Sequence, residues 1–133
     1  MELKDIATVS GKSGLFRVLS AGKGGMVLEA IDTKARVVLP ISQKVSVLSE
    51  ISIYTTTQEG TVPLEKVLKK IHSDYGNDMG LDHSAEPSEL HAFMKSVLPE
   101  YDSDRVYTSD IKKLVRWYQL LLQYAPEVLK EDQ

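Results

Sequence analysis

Residues 44–55 read KVSVLSEISIYT, and residues 63–75 read PLEKVLKKIHSDY. In the first stretch the apolar residues fall mostly at every second position, as in a strand with one face in water: Val45, Val47, Ile51 and Ile53. Leu48 and Ser49 interrupt this alternation, which predicts a bend or short turn at residues 48–50. In the second stretch apolar residues recur every three or four positions, which predicts a helix. This change of period near residue 60 divides the chain into a β-rich part and a helical part.

The β-rich part contains three further apolar runs, at residues 15–20, 26–31 and 36–41. The sequence AGKGG at 21–25 predicts a hairpin between the first two, because glycine adopts positive φ at little cost. Pro40 confines its strand to an edge or a strand end, since it cannot donate to a ladder. Short strands joined by short turns predict a small SH3-like β-barrel domain over residues 1–60. This domain would begin with a helix of one or two turns at residues 3–9.

The remainder, residues 61–133, shows helical spacing of apolar residues. It predicts a helical domain of about three helices, near residues 63–75, 87–98 and 110–123, with a short tail helix after Pro126. Residues 76–86 are polar and aperiodic, which favours a mobile linker. The expected fold class is therefore α+β, with the barrel first and the helices second.

Composition excludes several classes of protein. The chain has 133 residues, no cysteine and a formal net charge of −3. A disulfide framework, a cysteine zinc site, an iron–sulfur cluster and a thiol nucleophile are thereby excluded. The absence of cysteine, of a signal segment and of a long apolar run predicts a cytoplasmic protein that makes no contact with a membrane. The negative charge argues against strong non-specific binding to nucleic acid.

The third predicted helix carries the main candidate for a binding surface. Its expected core face consists of Ile111, Leu114, Val115, Tyr118, Leu121 and Leu122. Trp117 and Leu120 lie beyond this face and widen the apolar sector to more than half of the circumference. They either cover a contact with the barrel or a neighbouring helix, or they form part of a protein interface, where aromatic and arginine residues are enriched. The candidate interaction surface consists of Arg105, Tyr107, Lys112, Lys113, Arg116, Trp117 and Leu120.

Other motifs indicate no chemistry. The sequence SGKSG at 10–14 lacks the upstream glycine, preceding strand and following helix of a phosphate-binding loop, so a turn is expected there. Asp102 and Asp104 could act as paired acids, but an ion pair with Arg105 or a helix cap explains them as well. The three histidines share no metal-ligand spacing. We therefore predict no catalytic residue, no cofactor and no metal.

Several segments, in this order, resemble a known family: IATVSGK at 6–12, GLF at 14–16, KVSVLSEISIYT at 44–55, PLEKV at 63–67 and LPEYDSDRVYTSDIKK at 98–113, followed by a Trp-Tyr pair. The family is one of small uncharacterised proteins from Bacteroidetes-type bacteria, and the resemblance runs from residue 1 to about residue 124. It implies two adjoining domains of unknown function in a bacterial cytoplasm. It transfers no catalytic or ligand-binding residue.

The expected function is non-enzymatic binding or adaptor activity, with another protein or a second copy of the chain as partner. The alternative is association with nucleic acid through a basic stripe on two helices, formed by Lys66, Lys69, Lys70, Lys112, Lys113 and Arg116. An enzyme that uses the acids at 102 and 104 is a third, less favoured class.

Overall fold

The computed structural model describes residues 1–40 and 42–130. The strands in these residues are β1 Ile6–Val9, β2 Phe16–Gly22, β3 Gly25–Ala30, β4 Arg36–Leu39, β5 Val45–Val47, β6 Ser52–Tyr54 and β7 Thr61–Pro63. The α-helices are α1 Leu64–Tyr75, α2 Pro87–Val97 and α3 Thr108–Tyr124. Short 3-10 helices occupy Leu3–Asp5, Leu48–Glu50 and Pro126–Leu129.

The α+β class is confirmed, but a closed barrel is not observed. Five antiparallel strands form one sheet in the order β4-β3-β2-β1-β5, and β6 and β7 form a separate pair. Within the described residues no ladder joins the two edge strands β4 and β5, so the sheet is open. The expected SH3-like barrel is therefore not confirmed.

The N-terminal segment differs from the sequence prediction. Only Leu3–Asp5 is helical, and Ile6–Val9 forms the strand β1 instead of a second helical turn. β1 lies between β2 and β5, where Ile6 pairs with Arg17 and Thr8 pairs with Ser46. Three of the four residues of β1 are β-branched and suit a pleated sheet. The hydrogen-bond partners of β1 come from β2 and β5, and its own four residues give no sign of them.

A second difference lies at the start of α1. Thr61–Pro63 is an edge strand paired with β6, and the helix begins one residue after Pro63. Pro63 opposes Ser52 at the end of this two-stranded ladder, a position where a missing amide donor is tolerated. The three-residue strand is too short to leave a clear alternation in the sequence.

The predicted turns are confirmed. Gly22 pairs with Gly25 across the β2–β3 hairpin, and Leu48–Glu50 forms a 3-10 turn between β5 and β6. The expected strand end at Ile41 lies outside the described residues, as do residues 131–133. The ends of the three α-helices agree with the predicted ones to within two residues.

The polar segment between α1 and α2 is attached to the core. Gly76 has a φ of +61° at the end of α1, a conformation that favours glycine. Met79 is buried, and Leu81 and Ala85 pack against the same core. The hydroxyl of buried Tyr118 donates to the carbonyl of Gly76 at 2.5 Å, and burial raises the pKa of Tyr118. The expected mobile linker is thus held at its start and at its middle.

One apolar core takes side chains from both halves of the chain. Leu3, Ile6, Leu15, Ile31 and Leu48 come from the β-rich part and pack with the buried faces of α1, α2 and α3. A smaller cluster lies within the sheet and consists of Val9, Phe16, Leu28 and Leu39. β1 therefore separates the two clusters. Ile6 lies on the face of β1 that packs against the helices, and Val9 lies on the opposite face, in the smaller cluster.

Candidate binding site

The site begins with α3, whose first turn is fixed by its own residues. The Asp110 carboxylate accepts a hydrogen bond from the Tyr107 amide at 2.9 Å, and it lies near the positive end of the helix dipole. The predicted core face is confirmed, since its members are buried except for half-buried Leu122: Ile111, Leu114, Val115, Tyr118 and Leu121. The helix is therefore held against the core along its length, and its other side is directed outward.

Trp117 and Leu120 take an intermediate position. Both are half-buried and pack against the main core, while Lys112, Lys113 and Arg116 are exposed. The extra width of the apolar sector thus serves packing in part. The exposed part of Trp117 lines two adjoining cavities.

The segment between α2 and α3 is held against β6. The Asp102 amide donates to the Tyr54 carbonyl at 2.9 Å, and the Thr56 amide donates to the Glu100 carbonyl at 2.8 Å. These hydrogen bonds, with a bridge between Thr55 and Tyr101, place residues 100–105 beside the sheet pair β6–β7.

Arg105 is positioned by this attachment. Its guanidinium lies 5.4 Å from the centre of the Tyr54 ring and 3.7 Å from the Asp102 carboxylate. Asp102 also accepts a hydrogen bond from the Asp104 amide at 3.0 Å, so it has the structural role expected from the sequence. Tyr107 is 64% exposed and lines neither cavity.

The first cavity, which we call the α3 cavity, has a volume of about 320 Å³. It lies between β1, β5 and β6 on one side and α3 on the other. Its walls include apolar side chains of Ile51, Ile53 and Leu114. Its polar or aromatic lining residues include Tyr54, Arg105, Asp110, Lys113 and Trp117.

The second cavity, which we call the basic cavity, has a volume of about 530 Å³ and shares Thr8, Ser46, Lys113 and Trp117 with the first. Its lining includes the Ser10–Gly14 loop, which contributes Lys12, and three further basic residues: Lys44, Lys113 and Arg116. No carboxylate lines it within the described part of the chain. Thr8 and Ser46 are cross-strand partners, and Thr8 lies on the same face of β1 as Ile6.

The structure therefore brings together four of the seven candidate residues. Arg105, Lys113 and Trp117 line the α3 cavity, and Arg116 joins Lys113 and Trp117 at the basic cavity. Lys112, Leu120 and Tyr107 line neither. Sequence reasoning missed Lys12 and Lys44, because they are about 70–100 residues away from α3 along the chain. The motif SGKSG forms the expected turn, and no periodic pattern linked it to α3.

The lysines of α1 have a different environment from those of α3. Lys69 pairs with Glu65 at 3.0 Å, and Lys70 pairs with Asp74 at 2.9 Å, both one turn apart on the helix. These carboxylates offset the positive charge of the proposed stripe on α1. An extended phosphate backbone would need a continuous row of uncompensated cations.

One of the three histidines, His91, has a structural role. His91 is half-buried and joins the hydroxyls of Tyr101 at 2.9 Å and Thr108 at 3.0 Å, which connects α2 to the start of α3. Over residues 1–40 and 42–130 no group of three His, Asp or Glu side chains is arranged to hold a metal ion. In the same residues no helix has the length and apolar character needed to cross a membrane.

Comparisons with known proteins give two adjoining family matches. Residues 3–48 match a domain of unknown function, DUF5606, and residues 51–121 match a second, DUF6852. A solution NMR structure of a structural genomics target from Bacteroides vulgatus is similar over 98% of both chains, with 34% sequence identity and a TM-score of 0.66. No curated protein matches the sequence. The expected layout of two adjoining domains of unknown function is confirmed.

Proposed function

The chain belongs to the family defined by DUF6852, here preceded by DUF5606, and we propose that it is a non-enzymatic binding module whose partner is another protein. The observation that carries the proposal is the α3 cavity with Trp117 at its edge. Residues from both family segments line this cavity: Thr8 and Ser46 from the first, Arg105 and Trp117 from the second. Cavities between two structural units are common binding sites.

The composition of the cavity supports a protein partner. It combines apolar walls with Trp117, Tyr54 and Arg105, the residue types that most often carry binding energy at interfaces. Tyr54 is 48% exposed beside the cavity, and the Arg105 guanidinium stacks near its ring. An apolar side chain of the partner would enter the cavity, and the partner's polar groups would contact Arg105.

The nearby carboxylates support binding in preference to acid–base chemistry. Asp102 and Asp110 each accept a backbone hydrogen bond, and Asp102 also pairs with Arg105. Both carboxylates are thus engaged in contacts within the protein, whereas paired acid–base catalysis needs two carboxyl groups that both reach the substrate. A cysteine-free chain is also suited to the cytoplasm, where we propose that it acts.

Changes at the rim of the α3 cavity test this role. The full chain serves as bait in a native lysate, with two rim variants, Trp117→Ala and Arg105→Glu. Each variant is expected to capture at least about tenfold less partner than the parent chain, because each removes a residue type that often carries binding energy at interfaces. Arg105 is exposed, so its variant leaves the fold intact even if Trp117→Ala weakens it.

The control is Val38→Ala, which shortens a side chain that is 76% exposed on β4 and lines neither cavity. It should capture the same proteins as the parent chain. Equal capture by all variants would contradict the proposal, as would binding of nucleic acid instead of protein or turnover of a metabolite.

We further propose that the open sheet curls in the manner of an SH3-like barrel. Leu39 of β4 and Val45 of β5 come from opposite edges of the sheet and pack in the same cluster around Phe16 and Leu28. A register shift between Val18 and Ser20 supports the bend that β2 would need. Proton contacts between Leu39 and Val45 in an NMR spectrum of the full chain would agree with the curl, and widely separated side chains would contradict it.

A further inference from the structure

The basic cavity has the size and composition of a small-ligand site, and most of its lining residues lie outside the α3 cavity. Its volume of about 530 Å³ lies within the roughly 300–1,000 Å³ of typical ligand pockets. Three separate parts of the chain build it: the Ser10–Gly14 loop, the segment around Lys44, and α3.

The charge in this cavity is of one sign. Four cations line it in a protein whose net charge is −3, so the excess of acids lies elsewhere. Within residues 1–40 and 42–130, Lys12, Lys44, Lys113 and Arg116 form no ion pair. Like charges around one concave surface repel each other, and an anion between them relieves that repulsion.

The acid in the first turn of α3 does not line this cavity. Asp110 lines only the α3 cavity, and its carboxylate accepts the hydrogen bond from the Tyr107 amide. The charged residues that line the basic cavity in the described part of the chain are therefore all cations.

The walls of the cavity are held in place by backbone and side-chain hydrogen bonds. The Ser10 amide donates to the Lys44 carbonyl at 3.0 Å, and the Gln43 side chain donates to the Ser10 carbonyl at 2.8 Å. Gly11 and Gly14 have φ of +84° and +88°, which lets the loop turn tightly before β2. On α3, Lys113 and Arg116 are three residues apart and share one side of the helix. The backbone around the cavity is thus ordered without a ligand, which lowers the entropy cost of binding.

The residue types indicate phosphate. Arginine offers paired N–H donors that match phosphate oxygens, and lysine adds compact positive charge. Four cations suit a ligand with several negative charges better than a single carboxylate. Trp117 lines the same cavity and offers an aromatic face on which a planar group can stack.

We infer that the basic cavity binds the phosphate groups of a small phosphorylated ligand, and that the ligand's remaining part packs against Trp117. The loop is followed by a strand, so side-chain cations, not the amides of a helix N-terminus, carry the recognition. The two sites share Trp117 and Lys113, whereas Lys44 and Arg116 line only the basic cavity, so variants at Lys44 and Arg116 separate this inference from the protein-binding role.

Calorimetric titration of the full chain with pyrophosphate and with ADP, at low salt, tests the inference. Both probes are expected to bind, and ADP should also change the fluorescence of Trp117, which is the single tryptophan of the chain. Arg116→Gln and Lys44→Gln should each weaken binding by about tenfold or more, the usual effect of losing a charged hydrogen bond. Affinity should fall as salt is added.

Lys112→Gln is the matched control, because Lys112 is exposed on the same helix but lines neither cavity. It should change affinity by less than about twofold, since a solvated charge outside the site is strongly screened. All three altered residues are exposed, so the variants should remain folded, which circular dichroism checks.

Absence of binding by both probes at millimolar concentration would overturn the site. An equal loss in Lys112→Gln and Arg116→Gln would also overturn it, because binding would then follow overall charge. If a phosphoserine peptide or single-stranded RNA binds and pyrophosphate does not compete, the small-ligand assignment is wrong. Loss of phosphate binding with normal capture of a protein partner would leave the proposed function in place.

Discussion

Gly25→Ala is expected to destabilise the protein by at least about 3 kcal/mol, through backbone strain and a steric clash that add together. Gly25 has a φ of +137°, a conformation that residues with a Cβ rarely adopt. A Cβ atom placed there would lie 2.1 Å from the Leu39 carbonyl oxygen and 3.3 Å from the Pro40 Cα. Both atoms belong to the backbone, so no side-chain rotation can relieve the contact.

The clash lies where β3 pairs with β4. Met26 and Leu39 are partners in this ladder, and Leu39 also belongs to the cluster within the sheet. Moving β4 away from Gly25 would therefore break ladder hydrogen bonds and loosen that cluster. The free energy of unfolding, measured by urea denaturation, reports the combined loss.

Gly24→Ala is the control for this prediction. Gly24 is adjacent in the same turn, its φ lies outside the positive region, and a Cβ there would meet no atom within 4 Å. It should change stability by less than about 1 kcal/mol, as surface substitutions usually do. Equal effects of the two substitutions would show that the approach of the Leu39 carbonyl does not constrain the hairpin.

Leu48→Ala is expected to cost about 2–5 kcal/mol, the usual range for deleting a buried leucine side chain. Leu48 is fully buried in the 3-10 turn before β6, and it belongs to the core that the helices share. The substitution should therefore destabilise the helical part as well as the sheet, although Leu48 is the last residue of the first family match.

Two probes distinguish shared from separate unfolding. Trp117 fluorescence follows the helical part, and far-ultraviolet circular dichroism follows the whole chain. With one shared core, both transitions should coincide in the parent and shift together in Leu48→Ala. Leu19→Ala, at a side chain that is 37% exposed, is the matched control and should shift them much less. A Leu48→Ala variant that moves only one of two separate transitions would contradict a shared core.

Much of the secondary structure was predictable because it follows from local periodicity. α3 shows this best: the spacing from Ile111 to Leu121 predicted the residues that are buried. The errors fall where partners are distant. Ile6–Val9 is a strand because β2 and β5 lie on either side of it, and Thr61–Pro63 is a strand because β6 pairs with it.

The candidate site was predictable only in its α3 portion. Arg105, Lys113, Arg116 and Trp117 lie near one another in sequence, so a widened helical face and a charged preceding loop could reveal them. Lys12 and Lys44 lie in or next to turns, and the sequence of these turns does not indicate that they lie close to α3.

Apart from β1 and β7, the sequence by itself determined the order of strands and helices, the position of the main turns and which helical faces are apolar. These features depend on spacings of two, or of three to four, residues. Only the tertiary structure decided that the sheet stays open, that one core joins both halves, and that four cations surround a single cavity. Those features depend on contacts between residues about 100 positions apart. Which side chains are buried, and which charges lie close together, is therefore decided by the packing of the whole chain and not by any local segment.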